Sequence, residues 1–173
     1  MSLRYAILTS LANQPASGWD LARHFGRSIG FFWQASHQQI YRELRRLDDD
    51  GLVRTEEATG QRGPRRKVYH LTPEGREALL NWLQTPAAES VVRDELLVKV
   101  FGGWQLEPPQ LRALLDQART DHTDRLAQYR ELDRELAQST SRKARFARLT
   151  LQRGIFEEEA WLKWLDQAKA EIG

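Results

Sequence analysis

Gln38, Arg42 and Arg45 are spaced so that, on a helix, they share one face with Asp49. At 100° per residue that face lies opposite Ile40, Leu44 and Leu47, whose helical spacing predicts a buried stripe. Amide and guanidinium groups on the wet side of such a helix, near its N-terminus, suit the DNA major groove. Gln matches the edge of adenine there, and Arg the edge of guanine. The same face also reads as an ordinary solvated surface, where Arg and Gln are common. Ser36 is placed to cap this helix and Gln39 to complete a capping box. Gly51 closes it, since glycine readily takes the left-handed conformation that ends a helix. Ser36, His37 one residue past the cap, and Tyr41 at the edge of the buried stripe join the candidate contacts.

The elements around this helix decide between the two readings. Upstream, Leu3, Ile7, Leu8 and Leu11 predict a first helix ending near Asn13, before Pro15. Ser17 then caps a second, with Trp19, Leu21, Ala22 and Phe25 as its apolar side. Gly26 and Gly30 interrupt it, and Phe31-Phe32-Trp33 forms an apolar plug before the central helix. Downstream, residues 52–57 and 67–72 predict two short strands. The loop between them ends in Arg62, Gly63, Pro64, Arg65, Arg66 and Lys67, and from residue 58 to 67 it holds no acid. Three helices followed by a hairpin with a basic tip make a winged helix-turn-helix. A tip of this kind follows the phosphate backbone or enters the minor groove. The DNA-binding candidates are therefore Ser36, His37, Gln38, Tyr41, Arg42 and Arg45 on the helix, with Arg62, Arg65, Arg66 and Lys67 on the tip. Thr72-Pro73-Glu74 starts a fourth helix, with Leu79, Leu80, Trp82 and Leu83 as its stripe and Thr85-Pro86 as its end.

Past this point every signal is helical. The chain divides into a DNA-binding domain over 1–86 and an α-helical dimerisation and effector domain over 93–173. A short apolar helix ends at Gly102-Gly103, and Pro108-Pro109 opens a long one that Ser139-Thr140-Ser141 breaks. The last helix, from Arg142 to about Ile172, carries two apolar rows. One is Phe146, Leu149, Phe156, Ala160 and Trp164; the other is Leu151, Ile155, Leu162, Leu165 and Ile172. Two rows exceed what a two-helix hairpin can cover, and the excess predicts a subunit interface. Its candidates are Phe146, Leu149, Ile155, Phe156, Leu162, Trp164 and Leu165. Phe101, Trp104, Phe146, Phe156, Trp161 and Trp164 form either a packed core or the walls of an effector site. Glu157-Glu158-Glu159 reads as a solvated face.

Composition narrows the classes further. A chain of 173 residues holds one domain or two small ones, each able to bury a core. It has no cysteine, so disulfides and thiolate zinc sites are excluded. His24, His37, His70 and His122 fall on four separate elements, and no phosphate-binding glycine loop or nucleophile motif is present. No catalytic residue, metal or cofactor is expected, and the chain is not read as an enzyme. The net charge of +2 is too small to indicate a polyanion partner, so the basic tip carries that argument. No apolar run approaches a membrane span, and Met-Ser-Leu-Arg-Tyr is not a secretory leader, which predicts a cytoplasmic protein.

Several of these stretches together resemble the PadR family of bacterial transcription regulators. They are Tyr5-Ala6-Ile7-Leu8, residues 15–21, Phe32 to Leu44, Leu47 with Gly51-Leu52-Val53, and Arg66 to Gly75. The segment Arg93 to Gly102 is similar to the start of the long C-terminal helical domain of one branch of that family. The resemblance implies a mainly α fold and a homodimer held by the C-terminal helices. It also implies a repressor on a near-palindromic operator in double-stranded DNA, released by a small-molecule effector. It carries no effector residues over. Two rival readings remain from the residues themselves. One is a winged helix that binds protein, with the basic tip incidental; the other, a carrier of apolar ligands, leaves Arg42 and the tip without a role.

Overall fold

The computed structural model describes residues 2–25, 35–58, 66–89 and 93–172. The expected plug Phe31-Phe32-Trp33, its flanking Gly26 and Gly30, and Arg62 and Arg65 of the tip lie outside the described residues. The chain forms two compact units, Met1–Ala88 and Glu89–Gly173.

In the first unit, helix α1 (Ser2–Asn13) supplies Ile7, Leu8 and Leu11 to the core and packs on the two later helices of the unit. A two-residue strand β1 (Ala16–Ser17) follows, then α2 (Gly18–Phe25). Ser17 caps α2: its Oγ accepts the Asp20 N–H at 3.1 Å and donates to the Asp20 carboxylate at 2.7 Å. Leu21, Ala22 and Phe25 are buried as expected, but Trp19 is not. It sits 200° around the helix from Leu21, half exposed, with the Arg23 guanidinium 4.6 Å above its ring.

Helix α3 (His37–Asp49) begins and ends as its residues predict. Ser36 Oγ accepts the Gln39 N–H at 3.2 Å, while the Ser36 N–H donates back to Gln39 Oε1 at 2.8 Å. Gly51 has φ of 70°, and the N–H groups of Gly51 and Leu52 close on the carbonyls of Asp48 and Leu47. Ile40, Leu44 and Leu47 are completely buried.

Strands β2 (Val53–Ala58) and β3 (Arg66–Leu71) pair antiparallel, with Thr55 opposite Tyr69. Each is offset by one residue from the expected segment. Leu52 is occupied in closing α3, and Thr72 in starting the next helix. The Thr72 hydroxyl donates to the Gly51 carbonyl at 2.8 Å and accepts the Gly75 N–H at 3.0 Å. β1 adds to the free edge of β3, with Ala16 opposite Tyr69, so the sheet order is β1-β3-β2. Helix α4 (Pro73–Leu83) buries Leu79 and stacks Trp82 flat on Tyr5, with ring centroids 4.5 Å apart. Leu80 and Leu83, expected in the same stripe, are exposed.

The second unit is wholly helical among its described residues. Helix α5 (Glu95–Phe101) is capped by Asp94, whose Oδ1 accepts the Leu96 N–H at 2.8 Å. A turn of 3-10 helix (Gly103–Gln105) leads to α6 (Pro108–Ala137), and a short link to α7 (Arg142–Glu171). The two long helices run antiparallel, tied by Arg119 to Asp166 and by Arg148, which grips Asp133 with two bonds of 2.8 and 3.1 Å.

The buried residues of α7 are Ala144, Leu151, Glu158 and Leu165, each seven after the last. That period is a coiled-coil seam. It corrects two expectations. Leu165, assigned to a subunit interface, is fully buried within its own chain. Glu158, assigned to a solvated face, is the polar member of the seam. Its carboxylate accepts from His122 Nδ1 and, at 3.2 Å, from Arg125 Nη1, both on α6. Burial, and then the charge of Glu158, push the Tyr129 phenol above its ordinary pKa.

The stripe of α3 sets a stability test. Leu44→Ala should lose about 2–5 kcal/mol of unfolding free energy, because its contacts are complete and leave a cavity. Leu80→Ala should change it by less than about 0.5 kcal/mol. Urea denaturation of the full chain reads both.

Candidate nucleic-acid interface

Fixing Ile40, Leu44 and Leu47 in the core fixes the rotation of α3 and thus what its far side presents. Gln38, Arg42 and Asp49 lie on that side, all exposed, and Ser36 and His37 are exposed at the helix start. The side chains of Gln38 and Arg42 make no hydrogen bond or ion pair with the described residues. Their neighbours differ. Arg46 pairs with Glu43 at 3.5 Å, and Arg54 of β2 with Glu56 at 3.6 Å. Among the described residues nothing holds the Arg42 guanidinium, a fork of donors that the buried stripe of α3 aims outward.

Arg45 is exposed on that same side, and Tyr41 stands at its flank, both within electrostatic reach of Tyr69 on the sheet. Tyr41 is 38% exposed. The phenol of Tyr69, on β3, is raised above its ordinary pKa by burial first, then by Asp48 and Tyr41, while Arg45 pulls it down. Those four side chains therefore share one electrostatic neighbourhood. The flank is anchored at its far end by the Thr55 hydroxyl, which donates to Asp48 at 2.9 Å. An ion pair of Arg4 with Asp50 holds the end of α3 to α1.

On the hairpin, Arg66 and Lys67 are exposed at the start of β3, opposite Ala58 and Glu57. The acids of β2 make the wing less uniformly basic than its tip. Glu56 lies 3.2 Å from His70 and also meets Arg54. The composition of the tip does not show this, although cross-strand alternation places Glu56 and His70 on neighbouring positions.

In the second unit, six of the seven expected interface residues keep surface. Phe146, Leu149 and Phe156 are more than half exposed, and Ile155, Leu162 and Trp164 are partly so. Helix α5 buries no residue at all, and Phe101 and Trp104 are 88% and 82% exposed. The apolar length of α5 was legible, but not its exposure, because a continuous apolar run carries no period that marks an inside. Phe156, Trp161 and Trp164 line a shallow groove with Leu97 and Ala160, and Arg153 and Glu157 pair at its rim. Trp161 also stacks on His122, 5.0 Å between centroids. Phe101, Trp104 and Phe146 are not among the groove's lining residues. Among the described residues no group of His, Asp and Glu is arranged to hold a metal ion, and no helix is long and apolar enough to cross a membrane.

Comparison with known proteins bears on both units. Residues 7–81 match the transcriptional regulator PadR-like family, and residues 92–173 match the virulence activator alpha C-terminal family. The chain is 34% identical to a probable transcriptional regulator of Mycobacterium tuberculosis, Rv1176c, over 96% of this chain and 95% of that one. It is similar to the virulence activator AphA of Vibrio cholerae, with 34% identity, 98% and 97% of the two chains covered and a TM-score of 0.77. PadR of Bacillus subtilis in complex with operator DNA superposes over 100% of both chains, with 28% identity and a TM-score of 0.88. The same Bacillus protein is also known in complex with p-coumaric acid, where 99% of each chain is covered at a TM-score of 0.79.

Proposed function

Because the chain belongs to the PadR-like family of transcriptional regulators and carries that family's C-terminal helical domain of the virulence-activator type, we propose that it binds double-stranded DNA as a homodimer and represses transcription from a near-palindromic operator. The observation that carries this reading is the exposed Arg42 and Gln38 on the outer face of α3, whose side chains have no partner among the described residues, beside a hairpin with exposed Arg66 and Lys67. Residues 1–86 are the DNA-binding part. Gln38 and Arg42 meet base edges in the major groove, with Arg45 at their side and His37 as a further groove contact, while Ser36 and, one turn on, Tyr41 meet the backbone. Arg62, Arg65, Arg66 and Lys67 follow the phosphates. Repression needs nothing more than occupancy of the operator.

Residues 93–173 hold the two copies together. The outward row Phe146, Leu149 and Phe156 of α7, with the partly covered Ile155, Leu162 and Trp164, is too much apolar surface for a free protomer, and a second copy would cover it. A palindromic site follows from the two-fold axis of such a dimer. Release by a small-molecule effector is part of the same reading, supported by the p-coumaric acid complex of the Bacillus relative. The aromatic groove of Phe156, Trp161 and Trp164 is the candidate place for it here. An effector acts by binding the DNA-competent and DNA-incompetent states unequally.

Two outcomes are expected. Arg42→Ala should cost about 1–3 kcal/mol on the preferred operator and relax preference at one base pair. Lys67→Ala should weaken operator and random duplex alike, and reduce the slope of log affinity against log salt by about one unit. Titrations of both variants at several salt concentrations check this; equal loss on both DNAs with a reduced slope for Arg42→Ala contradicts the base-reading role. For the dimer, Phe146→Asp with Phe156→Asp should convert the protein to monomers in sedimentation. Both side chains are exposed in the protomer, so the fold is expected to survive, and an unchanged dimer would refute the interface.

A further inference from the structure

Gly18, the first residue of α2, sits where the side chain of any other residue would strike Tyr41. A Cβ at position 18 would stand 2.9 Å from Tyr41 Cζ and 3.0 Å from Cδ1, and closer still to Cε1. The ring of Tyr41 therefore lies directly against the bare backbone of the β1–α2 turn. That turn is itself fixed on its other side: Ala16 and Ser17 are paired to Tyr69 and Val68 of β3. One aromatic ring thus stands where α2, α3 and the wing converge. It is one helical turn before Arg45 and next in sequence to Arg42.

We propose that Gly18 is a positioning residue for DNA binding, holding the Tyr41 ring so that its hydroxyl is presented to a backbone phosphate oxygen. The inference rests on the DNA-binding reading above and deepens it. With a methyl group at position 18 the ring has an escape, because it is partly exposed and can swing toward solvent. The cost then falls on the place of the hydroxyl and not on the core. Nor does α2 lose anything of its own, since alanine is the better helix former and the Ser17 cap is independent of position 18.

The test uses the full chain and the duplex that it enriches from a random pool, with affinity read by fluorescence anisotropy and the thermal midpoint measured alongside. Gly18→Ala is expected to weaken binding about tenfold, the scale of one hydrogen bond to a charged group. Tyr41→Phe keeps the ring and should show a similar loss. In both, the salt slope should stay as in the wild type, because a neutral hydroxyl displaces no counterion. Gly18→Ala made in a Tyr41→Ala background should cost less than about twofold, since the ring is gone. Should Gly18→Ala lower the midpoint, its recovery in the double variant supports the contact. Wild-type affinity of Gly18→Ala or of Tyr41→Phe overturns the proposal, as does a Gly18→Ala loss that persists without the ring. A wild-type chain that enriches no duplex overturns the DNA-binding reading itself, a result distinct from either.

Discussion

The rotation of α3 about its own axis is the constraint on which the rest depends. Ile40, Leu44 and Leu47 are completely buried, and a helix with three such residues on one stripe cannot turn without dragging apolar surface into water. Everything on the opposite side is then aimed outward by geometry alone. The capping box at Ser36 fixes where the helix starts, and the left-handed Gly51 fixes where it stops, so the register of Gln38 and Arg42 is set along the axis as well as around it. Asp48, tied to Thr55, connects that helix to the wing, and Thr72, tied to Gly51, connects the wing's end back to the helix. Gln38 and Arg42 on the helix and Arg66 and Lys67 on β3 are thereby mounted on connected elements.

The second unit applies the same logic with a different period. Ala144, Leu151, Glu158 and Leu165 form a heptad row that α6 covers, leaving the neighbouring row of Phe146, Leu149 and Phe156 outside. A carboxylate in such a row is costly unless satisfied, and Glu158 is satisfied by His122 and Arg125 from the facing helix. A slip of one turn between α6 and α7 would leave that charge buried without partners. The pair therefore selects one register of the hairpin, and with it one arrangement of the outward apolar row.

Much of this was legible from residues alone, where the signal is local. Ser36 with Gln39, Thr72 with Pro73, and the break at Ser139 to Ser141 each mark a boundary through a few neighbouring atoms, and the helices begin and end beside them. What was not legible depends on partners distant in sequence. β1 is two residues long and exists only because β3 offers an edge. Trp19 looked like core by its chemistry, yet its angular distance from Leu21 puts it outside. Leu165 and Glu158 depart from expectation for a shared reason: both belong to the row Ala144, Leu151, Glu158 and Leu165 that α6 covers, and a carboxylate in that row hides it from an apolar pattern. The closeness of Gly18 to Tyr41 spans two elements and leaves no trace in either one.

In the proposed function, two copies of the outer face of α3, set by one dimer, read DNA together. Selection of bound duplexes from a random pool by the full-length protein, followed by sequencing, tests it most directly. The expected result is enrichment of an inverted repeat whose half-sites lie one helical turn apart, roughly 34–36 Å, or a whole multiple of it. A single unrepeated motif would contradict the paired reading by a dimer, and no enrichment at all would contradict sequence recognition by α3.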